Sequence, residues 1–244
     1  MQFDRPIRGL MGLALACAAW VAIAADAPAP SSTASSGQKV LRYAFPIAET
    51  GFDPAQISDL YSRIITAGIF DAPLSFDFLD RPFRMKPNTA EALPEISADF
   101  TRFTFRVKPG IYFADDPAFK GLKRELTAQD YVYSLKRHYD PSFKSPNLYL
   151  LENAKIVGLS EVRKKAVDAK QPFPYDIEVE GLRALDRYTF QVTLAEPSPR
   201  FHQTVMTDPS VFGAVAREVA EFYGDKIMEH PVGTGPFVLS EWRS

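Results

Sequence analysis

Proline interrupts this chain 20 times in 244 residues, so long helices have little room. The usual share is about 5%, and each proline lacks the amide hydrogen that a helix interior or a central strand needs. The chain therefore reads as short helices and strands joined by many loops, and not as a helical bundle. Helix and strand signals are mixed without strict alternation. The predicted fold class is α/β in the mixed α+β sense, in more than one lobe, and no internal repeat is visible.

The first segment sets the compartment. Arg5 and Arg8 precede an uncharged apolar run from Gly9 to Ala24, which ends in the small-x-small pattern Ala22-Ile23-Ala24. This is the pattern of a secretory signal peptide, residues 1–24, with cleavage after Ala24. Two other readings exist: an uncleaved anchor, and a lipoprotein built on Cys17, where Ala14 stands in the place of the usual leucine. Residues 25–38, ADAPAPSSTASSGQ, hold no large apolar side chain and read as a disordered tether.

Lys and Arg total 28 against 30 Asp and Glu, which argues against a nucleic-acid surface, because polyanion binding normally leaves a basic excess. The single cysteine excludes an intrachain disulfide, a cysteine-based zinc site and a Cys-x-x-Cys redox pair.

Along the mature chain, residues 40–45 predict a strand and Phe52-Asp53-Pro54 a turn. Ser58 is placed to cap a helix over 59–70, with Leu60, Ile64 and Ala67 at helical spacing. A strand follows at 74–78, a turn at 80–82 and an irregular stretch at 87–94. Alternation over Arg102–Val107 predicts a half-buried antiparallel strand. Thr127 and Asp130 mark a helix start, and Asp140-Pro141 stops that helix after Tyr139. A hairpin is predicted at 182–185 and 188–194, a helix at 216–223, a glycine turn at Gly233-Thr234-Gly235, and a strand at 237–239. The chain stops at Ser244 without a closing element, an ending that reads as truncation.

Catalytic spacing is absent. His138, His202 and His230 form no metal motif, no serine sits in a nucleophile elbow, and the Gly-Thr-Gly turn lacks the Lys-Ser/Thr of a phosphate loop. Arg163-Lys164-Lys165 reads as a solvated helix face. No catalytic residue, metal ligand or cofactor is assigned, and a binding role is expected over an enzymatic one.

The order of motifs carries a resemblance. Phe52-Asp53-Pro54 is followed by Phe105-Arg106-Val107-Lys108-Pro109-Gly110-Ile111-Tyr112-Phe113-Ala114-Asp115, then by Thr127-Ala128-Gln129-Asp130-Tyr131-Val132-Tyr133-Ser134-Leu135-Lys136-Arg137. After these come Asp186–Leu194, Glu196-Pro197 and Pro231-Val232-Gly233-Thr234-Gly235-Pro236-Phe237. From about Val40 to Trp242 the chain resembles the N-terminal half of the family 5 extracellular solute-binding proteins, the peptide-binding subunits of ABC importers.

The resemblance implies a periplasmic-binding-protein type II-like bilobed fold with an extra small domain, incomplete at the C-terminus. The first main lobe would comprise 39–73 and 177–244, and the extra domain 74–176. It implies a monomeric periplasmic receptor that closes on a peptide-like ligand and delivers it to permease subunits served by a cytoplasmic ATPase. Ser58, Asp59 and Leu60 would line the cleft; their other reading is helix N-capping. The ligand-ammonium position falls on Ser58, for which Asp59 could substitute. A ligand-reaching aromatic corresponds to Asn147, with Tyr149 two residues on. Alternatives are a nickel-chelate, haem or sugar-derivative receptor of the same family, or a secreted hydrolase. The 244-residue product alone is expected to bind poorly.

Overall fold

Glycine and proline punctuation leaves elements of at most twelve residues in the computed structural model, which describes residues 39–243. The predicted signal peptide and the tether lie outside the described residues. The chain divides into two units, Met1–Tyr43 and Ala44–Ser244, and all the regular structure described belongs to the second. In chain order it comprises α1 (Leu60–Ile69), β1 (Leu74–Asp77), β2 (Arg84–Pro87), β3 (Glu95–Ile96), β4 (Arg102–Arg106), α2 (Ala128–Tyr139), α3 (Leu148–Ala154) and α4 (Leu159–Ala169). After these come β5 (Leu182–Ala184), β6 (Thr189–Thr193), α5 (Phe201–Thr204), α6 (Pro209–Phe212) and α7 (Arg217–Tyr223).

Two antiparallel sheets form. β1 and β2 make a hairpin, and the larger sheet has the order β3-β4-β6-β5. The alternation read in β4 and β6 is what builds its inner face: Phe103 lies opposite Val192 and Phe105 opposite Phe190, all four fully buried. Phe190 stacks on Phe105 at 4.9 Å and on Tyr131 of α2 at 5.3 Å, so the core lies between this sheet and α2. Because β4 pairs with β6 along its whole length, the stretch expected as an extra domain and the stretch expected as a main lobe share one sheet.

α2 starts where its cap was read. The Asp130 carboxylate accepts from the Thr127 backbone N–H at 2.7 Å and from its hydroxyl at 2.9 Å, satisfying donors that a helix N-terminus leaves free. The helix is then buried on every side from Asp130 to Tyr139. Most of its polar side chains are tolerated because they find partners, although the buried Tyr139 hydroxyl has no hydrogen-bond partner among the described residues. Ser134 donates to the Asp130 carbonyl and accepts from the Val215 N–H, while Lys136 donates to the carbonyls of Tyr175 and Ile177. Arg163 of α4 donates to the Tyr139 carbonyl at 2.9 Å. It therefore caps α2 and is not part of a solvated face; Lys164 and Lys165 are exposed as expected.

Three local expectations are corrected. Residues 40–45 and 237–239 are irregular. Val40 and Leu41 are exposed, an apolar run without a ladder to join. In the second stretch, the Phe237 N–H is used on the Gly68 carbonyl of α1. On α1, Leu60, Ile64 and Ala67 are exposed, whereas Ser62, Thr66 and Ile69 are buried. The small polar face wins because its hydroxyls find partners, Thr66 donating to the Ser62 carbonyl at 3.0 Å. It also contacts α6, with Arg63 bonded to Asp208 and Ser210.

The Gly-Thr-Gly turn closes the C-terminal end of α1. The Gly235 N–H donates to the Ile69 carbonyl at 2.8 Å. A Cβ on Gly233 would stand 2.0 Å from that same carbonyl oxygen, so only glycine allows the approach. Gly233→Ala is expected to cost about 1–3 kcal/mol through forced backbone displacement, read by urea unfolding. An unchanged midpoint would show that the turn yields freely.

Candidate functional site

The loop leading into α1 is fixed from several directions. Gly51 takes φ 145°, and the Phe52 N–H donates to the Met228 carbonyl at 2.8 Å. Asp53 is buried and receives both terminal nitrogens of Arg137, Nη1 on Oδ1 at 2.5 Å and Nη2 on Oδ2 at 2.9 Å. Gln56 adds a bond to Oδ2 at 2.6 Å. Burial works to raise the Asp53 pKa, but the Arg137 charge and these hydrogen bonds outweigh it and hold the carboxyl below its ordinary value. The pair is therefore ionised and bidentate, the geometry for which arginine is suited. The Arg137 guanidinium also lies 4.6 Å from the centre of the Phe143 ring.

The next anchor is Asn147, whose amide donates to the Ile57 carbonyl at 2.9 Å. Asn147 is itself buried, so its side chain serves as a strut behind the loop. Asp59, and not Ser58, caps α1: its Oδ1 accepts from the Ser62 N–H at 2.8 Å, and its Oδ2 accepts from the Thr50 hydroxyl at 2.6 Å. Partial burial pushes its pKa up, but these donors prevail and keep the carboxyl below its usual range. An ionised carboxylate has about four acceptor sites, so Asp59 retains capacity for a further donor.

Of the five residues singled out from sequence, Ser58, Leu60 and Tyr149 are exposed, Asp59 is partly exposed and Asn147 is buried. The structure joins their two segments through the Asn147–Ile57 bond. The exposed part combines a carboxylate and a hydroxyl with the apolar surface of Leu60 and Ile64. Sequence reasoning missed Arg137 as the lock beneath the loop. Its position within the quoted helix motif was the one signal, without any indication that it pairs with the Phe-Asp-Pro turn. No cluster of histidine, cysteine, aspartate or glutamate suited to a metal occurs among the described residues.

His138 braces the same region. Its Nε2–H donates to the Val211 carbonyl at 2.9 Å, leaving Nδ1 to accept from the Ser145 hydroxyl at 2.7 Å. Burial, aided by the Arg137 charge, pushes its pKa down to about 4 from an ordinary 6.5. The unfolded chain therefore binds more protons between those values, and the stability present above pH 6.5 is lost as pH falls toward 4. We expect this group to remove roughly 2–3 kcal/mol between pH 7.5 and 4.5. Urea unfolding at both pH values should show that loss in the native chain and a smaller one in His138→Gln; identical losses would exclude His138 as the source.

Residues 84–244 match the family described as bacterial extracellular solute-binding proteins, family 5 Middle, which is well over half of the chain. The chain belongs to the family 5 extracellular solute-binding proteins. It is 29% identical over 232 residues to the periplasmic oligopeptide-binding protein OppA of Escherichia coli K12, covering 94% of this chain and 38% of that protein. It is also 29% identical over 237 residues to the probable deoxycholate-binding periplasmic protein YgiS of the same organism, covering 96% and 40%. Among solved structures, the Haemophilus influenzae OppA complex with RPPGFSPFR matches with a TM-score of 0.63 and 23% identity, over 80% of this chain and 34% of that one. The chain thus spans somewhat over a third of the length of these relatives. It shares their mixed helix and strand fold, and their family is one of binding proteins.

Proposed function

We propose that this family 5 chain is the ligand-loop portion of a periplasmic receptor that captures peptide-like solutes for ABC import. The observation that carries the reading is the preorganised loop, with Asp53 locked by Arg137 and Ile57 held by Asn147. Locking a loop before the ligand arrives removes the entropy cost of ordering it on binding. In this reading Asp59 faces the ligand's ammonium, Ser58 its backbone, and Leu60 and Tyr149 its side chains, while Asn147 acts from behind.

Export through cleavage after Ala24, a monomeric state, and delivery to permease subunits with a cytoplasmic ATPase belong to the same proposal. So does the division into a first main lobe (39–73, 177–244) and an extra domain (74–176), and so does the absence of catalysis. Support comes from relatives named as peptide binders, including di/tripeptide-binding protein 2 of Pseudomonas aeruginosa, 27% identical over 225 residues.

Incubation with a defined peptide mixture, followed by thermal unfolding and mass spectrometry, tests the role. The peptides are expected to come back unaltered, with stabilisation appearing only at high peptide concentration. A hydrolysed product would replace the receptor reading with an enzymatic one. Deoxycholate in a parallel sample tests the other ligand class named among the relatives; stabilisation by it alone would overturn the peptide assignment.

A further inference from the structure

The last described residues turn back along α1. At the C-terminal end of that helix the Gly235 and Phe237 N–H groups donate to the Ile69 and Gly68 carbonyls. The chain then passes through Leu239, packed against the cluster of Ile69, Phe70 and Val215, and reaches Trp242. The Trp242 indole N–H donates to Glu49 Oε1 at 2.5 Å. Its ring meets that of Phe52 edge-on, with centroids 5.2 Å apart. Residues 235–242 thus form a strap that joins the end of α1 to the loop before its start. Tryptophan suits such a junction because it brings a large apolar body and one N–H donor.

Glu49 and Phe52 flank Thr50 and Gly51. Gly51 holds φ 145°, a backbone angle that glycine adopts at little cost, so the link between the two flanks is pliable. Thr50 in turn sets the Asp59 carboxylate: its hydroxyl donates to Asp59 Oδ2 at 2.6 Å, and its N–H donates to Ser62 Oγ at 3.0 Å. The Phe45 ring also touches α1, 4.9 Å from that of Tyr61, but it lies further up the chain. Trp242 is the side chain that holds both flanks of Thr50.

We propose that Trp242 is a positioning residue for Asp59: it pins Glu49 and Phe52, and through them keeps the Thr50 hydroxyl on the carboxylate. Its consequence for binding rests on the reading of Asp59 as the partner of a ligand's ammonium. A carboxylate held in one orientation offers its remaining acceptor sites in a fixed direction, so less ordering is left to the ligand.

Carbon-detected NMR of the Asp59 carboxyl in the 244-residue chain reads this positioning without any ligand. With the Thr50 donor displaced, Asp59 is expected to titrate at higher pH in Trp242→Phe than in the native chain. Lost packing alone would lower stability and leave that titration where it was. Glu49→Gln keeps an acceptor for the indole and should leave Asp59 no higher than in the native chain. In the same samples, Trp242→Phe should weaken trialanine about fivefold and leave N-acetyl-trialanine unchanged, because only the free amine meets Asp59. An Asp59 titration unmoved by Trp242→Phe, or raised as far by Glu49→Gln, would overturn the proposal. A raised Asp59 titration, with trialanine and its acetylated form bound equally by the native chain, would uphold the positioning role and overturn the ammonium reading instead.

Discussion

Replacing Asp53 by alanine is expected to cost about 3–5 kcal/mol of stability, the usual penalty for leaving one partner of a buried ion pair uncompensated. Arg137 is 1% exposed and Asp53 0% exposed at the side chain, so water does not reach the stranded guanidinium. With domain stabilities of about 5–15 kcal/mol, much of the margin would disappear. The double variant Asp53→Leu, Arg137→Met should recover most of that loss, because removing both charges also removes their desolvation cost. Urea unfolding of Asp53→Leu, Arg137→Met and the double variant gives the coupling energy directly. A single-variant loss below about 1 kcal/mol would mean that the pair behaves like a surface bridge and does not lock the loop.

Phe190→Ala is expected to be comparably damaging, by about 3–5 kcal/mol, for a different reason. Phe190 sits at the centre of the sheet opposite Phe105 and under Tyr131, where three rings close the space between strand and helix. Truncation removes the contacts of a whole ring, and neighbours fixed by two strands and a helix cannot collapse into the gap. Phe237→Ala, at an exposed ring, is the control and should change stability by no more than about 0.5 kcal/mol. Equal effects at the two positions would contradict the placement of the core.

The contrast between these two sites shows what sequence could reveal. β4, β6 and the start of α2 were legible because strand alternation and helix capping are local properties: Phe103 and Phe105 alternate with polar neighbours, and Asp130 reaches Thr127 within one turn. The burial of α2 was not legible. Lys136-Arg137-His138 looks like a solvated basic turn, yet each of the three has a partner far away in the chain, at 39, 84 and 73 positions for Tyr175, Asp53 and Val211. The face of α1 was misread for a related reason. Leu60 and Ile64 have the spacing of a core stripe, but hydroxyl partners within the helix and on α6 make the Ser62–Thr66 face the buried one. At the candidate site, the motif positions located the loop at 58–60 and the segment at 147–149, while the bond joining them through Ile57 is a tertiary fact. Asp59 rather than Ser58 caps α1 because its carboxylate reaches both Ser62 and Thr50.

The most direct measurement is a backbone amide chemical-shift titration of the 244-residue chain with a free tripeptide and with its N-acetylated form. Perturbations are expected to centre on Ser58, Asp59, Leu60 and Tyr149, to half-saturate at about 1 mM, and to weaken about tenfold on acetylation because the ammonium partner of Asp59 is lost. Perturbations that avoid this loop, or that are indifferent to acetylation, would contradict its assignment to the ligand.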